Sequence, residues 1–410
     1  MSPAAPSESF SRARRIELIA LFGLLTVFTP IAIDMYLPAL PTMAREFGCS
    51  ISAIEHSLAA YFIGLAIGQA MVGPISDRFG RRWPIIWGLI LYILGAAGCA
   101  LAQGPLTLDA ARFVQALGGC AGTVLARACV RDLFPPREAG RIFAQMLLIL
   151  SVSPLFAPFV GGWLLPITGW RSLFWLQGAS ALATLVLVWL QLPESHAGSD
   201  RRLHPLHVLK DYWVIASDRN FYGYIIPAVV TGAGLYVFLT GWAHVVIDLF
   251  KVRPQYFGFT FVLNGIGLIA FSQGTAKWLQ TRSGEKLLLA GITANAGVGL
   301  FALICGLTGW GGLPALVACM FLYCAMMGST NPTSAGLAMH HFGHAAGMAS
   351  ALIGIFLYGA GALASLAMGA FITPATPIPM TALICAFGVS GLVLYLLFRP
   401  RPAGQERPGL

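Results

Sequence analysis

The sequence predicts an all-α membrane protein, and three observations support this prediction. Hydrophobic residues make up 57 % of the 410-residue chain and charged residues only 10 %, and the mean hydropathy is +0.76. A soluble domain would contain roughly 25 % charged residues. Apolar runs of about 20 residues, the length that crosses a hydrocarbon core, recur along the whole chain. Each run must be helical, because lipid offers no partner to unpaired backbone groups.

Twelve such runs are predicted to be transmembrane spans. The first follows three arginines and resembles a signal peptide, but no small-residue cleavage site comes after it, so we expect an uncleaved span. In chain order the predicted spans are 18–40, 53–73, 84–103, 106–130, 140–166, 171–192, 221–247, 256–276, 287–308, 312–338, 346–371 and 378–398.

Basic residues indicate the orientation of these spans. With both termini in the cytoplasm, 20 of the 25 Lys and Arg residues fall in cytoplasmic segments and four in outer segments, while Arg112 lies inside a span. This bias follows the positive-inside rule, so both termini are predicted to be cytoplasmic. The net charge of +9 is spread over short runs between apolar stretches, which argues against nucleic acid binding.

The longest polar stretch divides the chain into two halves. Residues 193–220 form a predicted cytoplasmic linker between an N-terminal six-helix half (1–192) and a C-terminal six-helix half (221–410) with a short basic tail. Segment 78–82 after the second span has a faint echo in segment 282–286 after the eighth. Such a parallel repeat is the arrangement of one large class of transporters.

The loop after the second span carries a charged motif. Residues 73–82 read G-P-I-S-D-R-F-G-R-R and resemble the G-x-x-x-D-R-x-G-R-R signature of the major facilitator superfamily. The resemblance implies the major facilitator fold. It also implies a cytoplasmic gate in which an Asp and the second Arg of the motif form a charge relay with an acid after the fourth span and latch the two halves. The residues at these positions are Gly73, Asp77, Arg78, Gly80, Arg81, Arg82 and Asp132.

Two further elements narrow the resemblance. Residues 34–38 (D-M-Y-L-P) end the first span and residues 130–132 (V-R-D) leave the fourth. Together with the rest of the chain they resemble the bicyclomycin- and chloramphenicol-resistance (Bcr/CflA) branch of the twelve-span drug/proton antiporters. This resemblance implies proton-coupled efflux of small amphipathic drugs across the inner membrane by alternating access. The alternative is proton-linked transport of a natural metabolite such as a nucleoside or sugar.

The fifth span resembles the Pro/Gly-rich element of antiporters, although Ala157 replaces its leading glycine. A simple proline kink beside a close helix contact would require the same residue types. The residues that match are Pro154, Pro158, Gly161 and Gly162.

Two charged residues inside spans are the predicted proton-coupling pair. Asp34 lies six residues before the end of the first span, and Arg112 lies six residues into the fourth, so both should be about 9 Å below the outer surface at 1.5 Å per residue. Charges at this depth are costly and tend to be paired and functional. The alternative partner of Arg112 is Asp109, three residues earlier on the same helical face.

Other polar and aromatic residues within spans have less definite roles. Glu55 and His244 could titrate as secondary sites, but a solvated helix start and an interfacial histidine are the simpler interpretations. Six residues are predicted to line a substrate cavity: Tyr36, Tyr61, Gln115, Tyr236, Trp242 and Asn264.

We find no sequence motif for catalysis, so the chain is not expected to be an enzyme or to hold a cofactor. His340, His341 and His344 are predicted to lie in a solvated loop rather than to bind a metal. The expected partners are a small-molecule substrate, protons and the lipid bilayer, and the protein is expected to be monomeric.

Overall fold

A computed structural model describes residues 11–196, 205–339, 342, 346–371 and 376–398, and this part of the chain contains helices and no strands. The three histidines near residue 340 lie outside the described residues. The α-helices are α1 (Arg12–Asp34), α2 (Leu40–Phe47), α3 (Ile51–Phe79), α4 (Arg82–Ala100), α5 (Pro105–Leu133), α6 (Pro136–Thr168), α7 (Arg171–Gln191), α8 (Pro205–Ala216), α9 (Arg219–Ala243), α10 (Pro254–Trp278), α11 (Gly284–Thr308), α12 (Gly312–Met339), α13 (Ala346–Phe371) and α14 (Ile378–Phe398).

Eleven of the twelve predicted spans coincide with long apolar helical segments, and the fifth coincides with a shorter one. In the described part, eleven helical segments are long and apolar enough to cross a membrane, and Val152–Thr168 within α6 is a shorter apolar stretch. The predicted linker contains one short helix, α8. The fold class is therefore confirmed, while the orientation in the membrane stays a prediction. Following the charge bias, we call the end with the loops at 48–50 and 101–104 the outer end and the opposite end the inner end.

The first span is not the single helix that the sequence predicts. α1 ends at Asp34, and a 3₁₀ turn (Leu37–Ala39) leads into α2. Pro38 and Pro41 explain the break, because proline cannot donate the helical hydrogen bond and disfavours helical geometry in the residue before it. A discontinuous transmembrane helix is a common device for building a binding site at membrane depth.

The two predicted halves pack against each other along two helix pairs. α3 contacts α13 and α6 contacts α10. Phe62 and Tyr236 meet edge to face with ring centroids 4.7 Å apart, and Phe159 and Phe259 do the same at 4.7 Å. Near the outer end, the Ser52 hydroxyl donates a 2.5 Å hydrogen bond to the Gly369 carbonyl. These contacts join the two halves, and the candidate site described next lies in the N-terminal half.

Candidate functional site

The carboxyl group of Asp34 lies at the break in the first span. Asp34 is the last residue of α1 and its side chain is buried. The C-terminal end of a helix carries partial negative charge, which disfavours a second negative charge and favours a cation or proton there. Burial adds to the cost of a carboxylate at this position. The break therefore places a carboxyl group where its ionised form is energetically unfavourable.

Arg112 is fully buried in a cage of aromatic rings. Its guanidinium carbon lies 4.2 Å from the centroid of Tyr36, 4.1 Å from that of Tyr61 and 5.9 Å from that of Phe174. These rings come from the break after α1, from α3 and from α7. Each cation–π contact is worth up to about 2 kcal/mol when desolvated. The aromatic faces thus replace part of the hydration that the buried cation has lost.

A chain of amide groups leads away from the arginine. Arg112 Nη1 donates to Gln115 Oε1 at 2.7 Å, and Gln115 Nε2 donates to Gln177 Oε1 at 2.8 Å. Arginine can only donate, so it fixes the orientation of the Gln115 amide and, through it, that of Gln177. Arg112 Nε and Nη2 have no hydrogen-bond partner among the described residues. The buried cation is left with unused donors.

Neither of the two predicted ion pairs is formed. The ion pairs of the described residues include neither Asp34 with Arg112 nor Asp109 with Arg112. Asp109 Oδ1 is buried without a hydrogen-bond partner in the same part of the chain. The aromatic cage is the physical reason that the arginine tolerates burial without an acid beside it. That Asp34 and Arg112 act together in proton coupling stays a prediction.

The glycines of the fifth span bring α6 close to this break. A Cβ added at Gly161 would overlap the carbonyl oxygen of Met35, the residue after Asp34. A Cβ added at Gly162 would overlap the carbonyl oxygen of Pro254 at the start of α10. One face of α6 therefore supports the α1 break, and the adjacent residue contacts the C-terminal half. Pro154 and Pro158 lie inside the same helix.

The charged motif at the inner end is brought together as predicted. Arg81 Nη1 lies 2.7 Å from Asp77 Oδ1, and Arg81 Nε lies 2.9 Å from Asp132 Oδ2. Arg81 also donates to the Ser76 hydroxyl at 2.6 Å. All of these partners belong to the N-terminal half. In this conformation the cluster joins α3, α4 and α5, and its described hydrogen bonds and ion pairs do not extend to the C-terminal half.

Other residues of the motif have individual contacts. Gly80 ends α3 at φ = 79°, a conformation that favours glycine. Arg82 donates to the carbonyl of Trp189 at 2.6 Å, and the Arg78 guanidinium lies 5.2 Å from the centroid of Phe79. A Cβ at Gly73 would meet nothing within 4 Å, so the structure shows no steric need for glycine there.

Sequence reasoning missed Glu194. Its carboxylate accepts hydrogen bonds from the backbone N–H groups of Arg81 at 2.7 Å and Arg82 at 3.2 Å. These groups open α4, where unpaired donors need an acceptor and negative charge is favourable. A lone acid in the linker gave no sequence signal of this contact. Gln177 and Phe174 were also missed, although a glutamine inside an apolar run is a detectable anomaly.

A second carboxyl group is buried at the outer end. Glu55 is fully buried and both of its carboxyl oxygens lack a hydrogen-bond partner in the described part, so the interpretation as a solvated helix start is wrong. It lies close enough to Asp248 for electrostatic interaction. Asp248 in turn lies 3.2 Å from His244 Nδ1 in the π-helical turn (His244–Leu249). Packing of the two halves at this end buries Glu55, which a sequence position cannot reveal.

The predicted cavity residues separate into two groups. Tyr36, Tyr61 and Gln115 surround Arg112, as described above. Trp242 is packed in the C-terminal half, where its indole N–H donates to Thr260 at 2.9 Å. Tyr236 packs on Phe62, and Asn264 is buried with both amide atoms unpartnered in the described part. The structure thus brings the N-terminal group together around Arg112, whereas each residue of the C-terminal group has partners of its own or none in the described part.

The described residues contain no group of three or more His, Cys, Asp or Glu side chains that could hold a metal ion. The N-terminal half contains instead a caged cation with a chain of amides, and a buried carboxyl group at a helix break. These groups can exchange hydrogen bonds and a proton with a small molecule. Ionisable groups buried in a bundle of membrane-spanning helices are typical of the substrate and proton pathways of membrane transporters.

The comparison with known proteins gives the family. The chain matches the Major Facilitator Superfamily over residues 22–365 and belongs to it. It is 33 % identical over 399 residues to an uncharacterized MFS-type transporter, YdgK, of Bacillus subtilis, covering 96 % of this chain and 98 % of the relative. This family handles small-molecule substrates and consists of transporters rather than enzymes.

Other relatives are named for drug resistance. A bicyclomycin resistance protein homolog of Haemophilus influenzae is 27 % identical over 385 residues, covering 92 % of this chain and 95 % of the relative. A chloramphenicol resistance protein of Pseudomonas aeruginosa is 32 % identical over 200 residues, covering 48 % of this chain and 46 % of the relative. They support the predicted drug/proton antiporter family and a multi-pass protein of the bacterial inner membrane.

Solved structures confirm the fold. A D-xylose-proton symporter superposes with a TM-score of 0.74 at 18 % identity, covering 95 % of this chain and 98 % of that one. The nucleoside transporter NupG superposes with a TM-score of 0.75 at 13 % identity, covering 93 % and 100 %. At these identities the likeness concerns the fold alone.

Proposed function

We propose that this protein is a proton-coupled antiporter that exports small amphipathic drugs of the chloramphenicol or bicyclomycin type across the inner membrane. The single observation that carries this proposal is the N-terminal site. It places a buried cation with two unused donor atoms, Arg112, in the same half as a buried carboxyl group at a helix break, Asp34. The drug-resistance names of relatives support the substrate class.

Coupling follows from competition between proton and substrate. An ionised Asp34 accepts a hydrogen bond from a polar group of the substrate, and the free N–H groups of Arg112 donate to an acceptor on the same molecule. A proton that enters from outside neutralises Asp34 and makes it a weaker acceptor, so the substrate is bound less tightly and leaves. Arg112 then keeps only its aromatic cage and the hydrogen bond to Gln115, and these are the contacts described above. A group that is permanently charged or permanently neutral could not alternate in this way.

Glu55 is a secondary proton site in this proposal. It is buried between the halves at the outer end, near the Asp248–His244 pair. Closing the outer end removes its carboxyl group from water, and opening returns it. Protonation of Glu55 therefore favours the closed arrangement, whereas Asp34 responds to substrate.

Alternating access is assigned to the two halves. Residues 1–192 and 221–410 rock against each other around the site, the linker 193–220 and both termini are cytoplasmic, and the protein works as a monomer. The distribution of basic residues supports this orientation. The cluster of Arg81 with Asp77 and Asp132 stiffens the inner end of the N-terminal half and serves as the gate element.

The orientation can be checked by labelling. Gln103 and Ser283 are exposed residues of loops predicted to lie outside and inside, respectively. In intact cells, a membrane-impermeant maleimide should label Gln103→Cys and should label Ser283→Cys only after the membrane is opened. The parent protein, whose native cysteines are mostly buried, is the background control. Labelling of Ser283→Cys in intact cells would contradict the proposed topology.

Transport by purified protein tests the proposed function. Proteoliposomes with an imposed pH gradient should move chloramphenicol against its concentration gradient, and collapsing the gradient should stop this movement. A nucleoside and a pentose serve as parallel probes. Gradient-driven movement of one of these instead of chloramphenicol would show that the substrate is a natural metabolite and not a drug. Chloramphenicol transport at a rate that does not depend on the pH gradient would contradict proton coupling.

A further inference from the structure

A groove opens on the side of the N-terminal half that faces away from the C-terminal half. It lies between α1, α6 and α7 and has a cavity volume of about 350 Å³. Its walls are apolar and include Val27, Ile31, Val152, Phe156, Val160 and Leu176. Phe156 is 63 % exposed and Leu176 is 44 % exposed, within the apolar helical stretches Val152–Thr168 and Arg171–Gln191. The mouth of the groove therefore faces the hydrocarbon of the bilayer.

Three polar side chains line this apolar groove, and one of them, Ser180, already donates its hydroxyl to the Gln177 carbonyl at 2.8 Å. Gln177 and Ser153 are both more than nine-tenths buried, and Gln177 Nε2 and Ser153 Oγ have no hydrogen-bond partner among the described residues. Gln177 Oε1 is already used by Gln115, so the free end of this amide is a donor. Buried polar atoms without partners cost free energy. The groove thus offers an N–H donor and a hydroxyl to whatever occupies it.

We propose that this groove binds the transported molecule on its way from the bilayer, and that its ligand is an uncharged amphipathic small molecule with a hydrogen-bond acceptor. The assignment rests on the proposed function and names a second position for the same substrate. Apolar walls with a few polar groups, in a volume of several hundred Å³, are the usual features of a small-molecule pocket. A lipid acyl chain would leave both polar atoms unpaired. The residues that line the groove carry no charge that could pair with a charged ligand.

The groove is connected to the caged arginine. Gln177 lines the groove, accepts from Gln115, and Gln115 accepts from Arg112. Met35, which follows Asp34, lines the groove as well. A ligand that accepts from Gln177 Nε2 fixes this chain of amides from the lipid side. The groove is therefore an entry position one hydrogen-bonded step before the central site.

Photolabelling locates the ligand directly. The probe is an uncharged diazirine analogue of chloramphenicol, applied to full-length protein in lipid nanodiscs and mapped by mass spectrometry. We expect labelling of α6 or α7 at Phe156, Val160 or Leu176, and we expect excess chloramphenicol to suppress it. Label confined to helices of the C-terminal half, or label at the groove that chloramphenicol does not suppress, would overturn the proposal.

Matched variants give a second readout, the affinity of chloramphenicol for the groove itself, measured as the concentration that suppresses photolabelling of α6 and α7. Val160→Trp fills the groove from an exposed position and should weaken binding at least about tenfold. Ser153→Ala removes one hydroxyl that has no part in the amide chain and should weaken binding about two- to tenfold. Leu182→Trp is the control, since Leu182 is 52 % exposed on α7 and does not line the groove.

Failure of the groove and failure of the proposed function are distinguishable. Unchanged binding in Val160→Trp and Ser153→Ala, with transport intact in the parent, would overturn the groove and leave the antiporter proposal standing. A parent protein that neither binds nor transports chloramphenicol would contradict the proposed substrate class and remove the ligand of the groove with it.

Discussion

Two arginines of the N-terminal half are held in opposite ways. Arg81, at the inner end, has Asp77, Asp132 and Ser76 around its guanidinium. Arg112, inside the bundle, has Gln115 and the faces of Tyr36 and Tyr61, and it keeps two donor atoms unused. A guanidinium paired with two carboxylates is suited to hold helices together. One that is caged by rings and short of acceptors is suited to accept a ligand group that comes and goes.

Charge-conserving substitutions should separate these two roles. Lysine keeps the charge but loses the planar fork that stacks on rings and donates in several directions. Arg112→Lys should lower chloramphenicol affinity by at least about tenfold, which corresponds to about 1.4 kcal/mol. Arg81→Lys should keep binding, because an ammonium group still has a carboxylate beside it. Equal loss of affinity in both variants, each measured on purified and folded protein, would break the comparison.

The support of the caged site can be tested through α6. A methyl group at Gly161 overlaps the carbonyl of Met35, next to Asp34, whereas one at Gly140 of the same helix meets nothing within 4 Å. Overpacking of this kind costs about 1–3 kcal/mol. Gly161→Ala should therefore lower the thermal stability of the purified protein and impair transport, and Gly140→Ala should do neither. Identical melting curves for the two variants would show that the α1 break does not depend on this contact.

The two carboxylates that pair with Arg81 should contribute unequally to turnover. The side chain of Asp132 is 21 % exposed and that of Asp77 is 61 % exposed, and exposed ion pairs contribute little. Asp132→Asn should slow turnover more than Asp77→Asn, and both should change substrate affinity less than about twofold. Transport rates and binding measured on the same preparations check this. A large loss of affinity at normal turnover would contradict the gate role.

The fold was predictable because its cause is local. Each helix that crosses the membrane requires an apolar run of sufficient length, and that run can be counted in the sequence. The break at Asp34 was not predicted, although Pro38 and Pro41 signal it. A long apolar run hides a break when the residues beyond it continue as helix, as they do in α2.

The residues of the site were predictable and their partners were not. Asp34 and Arg112 stand out because charge is rare in an apolar run. The aromatic cage of Arg112 could not be predicted from the sequence, because its rings come from different parts of the chain that only tertiary packing brings together. Glu55 and Glu194 show the same limit. Glu55 is buried by packing against the other half, and Glu194 accepts from the start of a helix that is distant in sequence. The sequence thus reveals costly residues more readily than the contacts that compensate them.

Proton release on substrate binding tests the central claim, that Asp34 exchanges a proton for substrate, most directly. Purified protein in weakly buffered detergent solution receives chloramphenicol, and a pH indicator records the protons released. The parent should release protons as the compound binds. Asp34→Asn should release none while still binding it, and Glu55→Gln should release protons as the parent does. If Asp34→Asn releases as many protons as the parent, the coupling site is not Asp34.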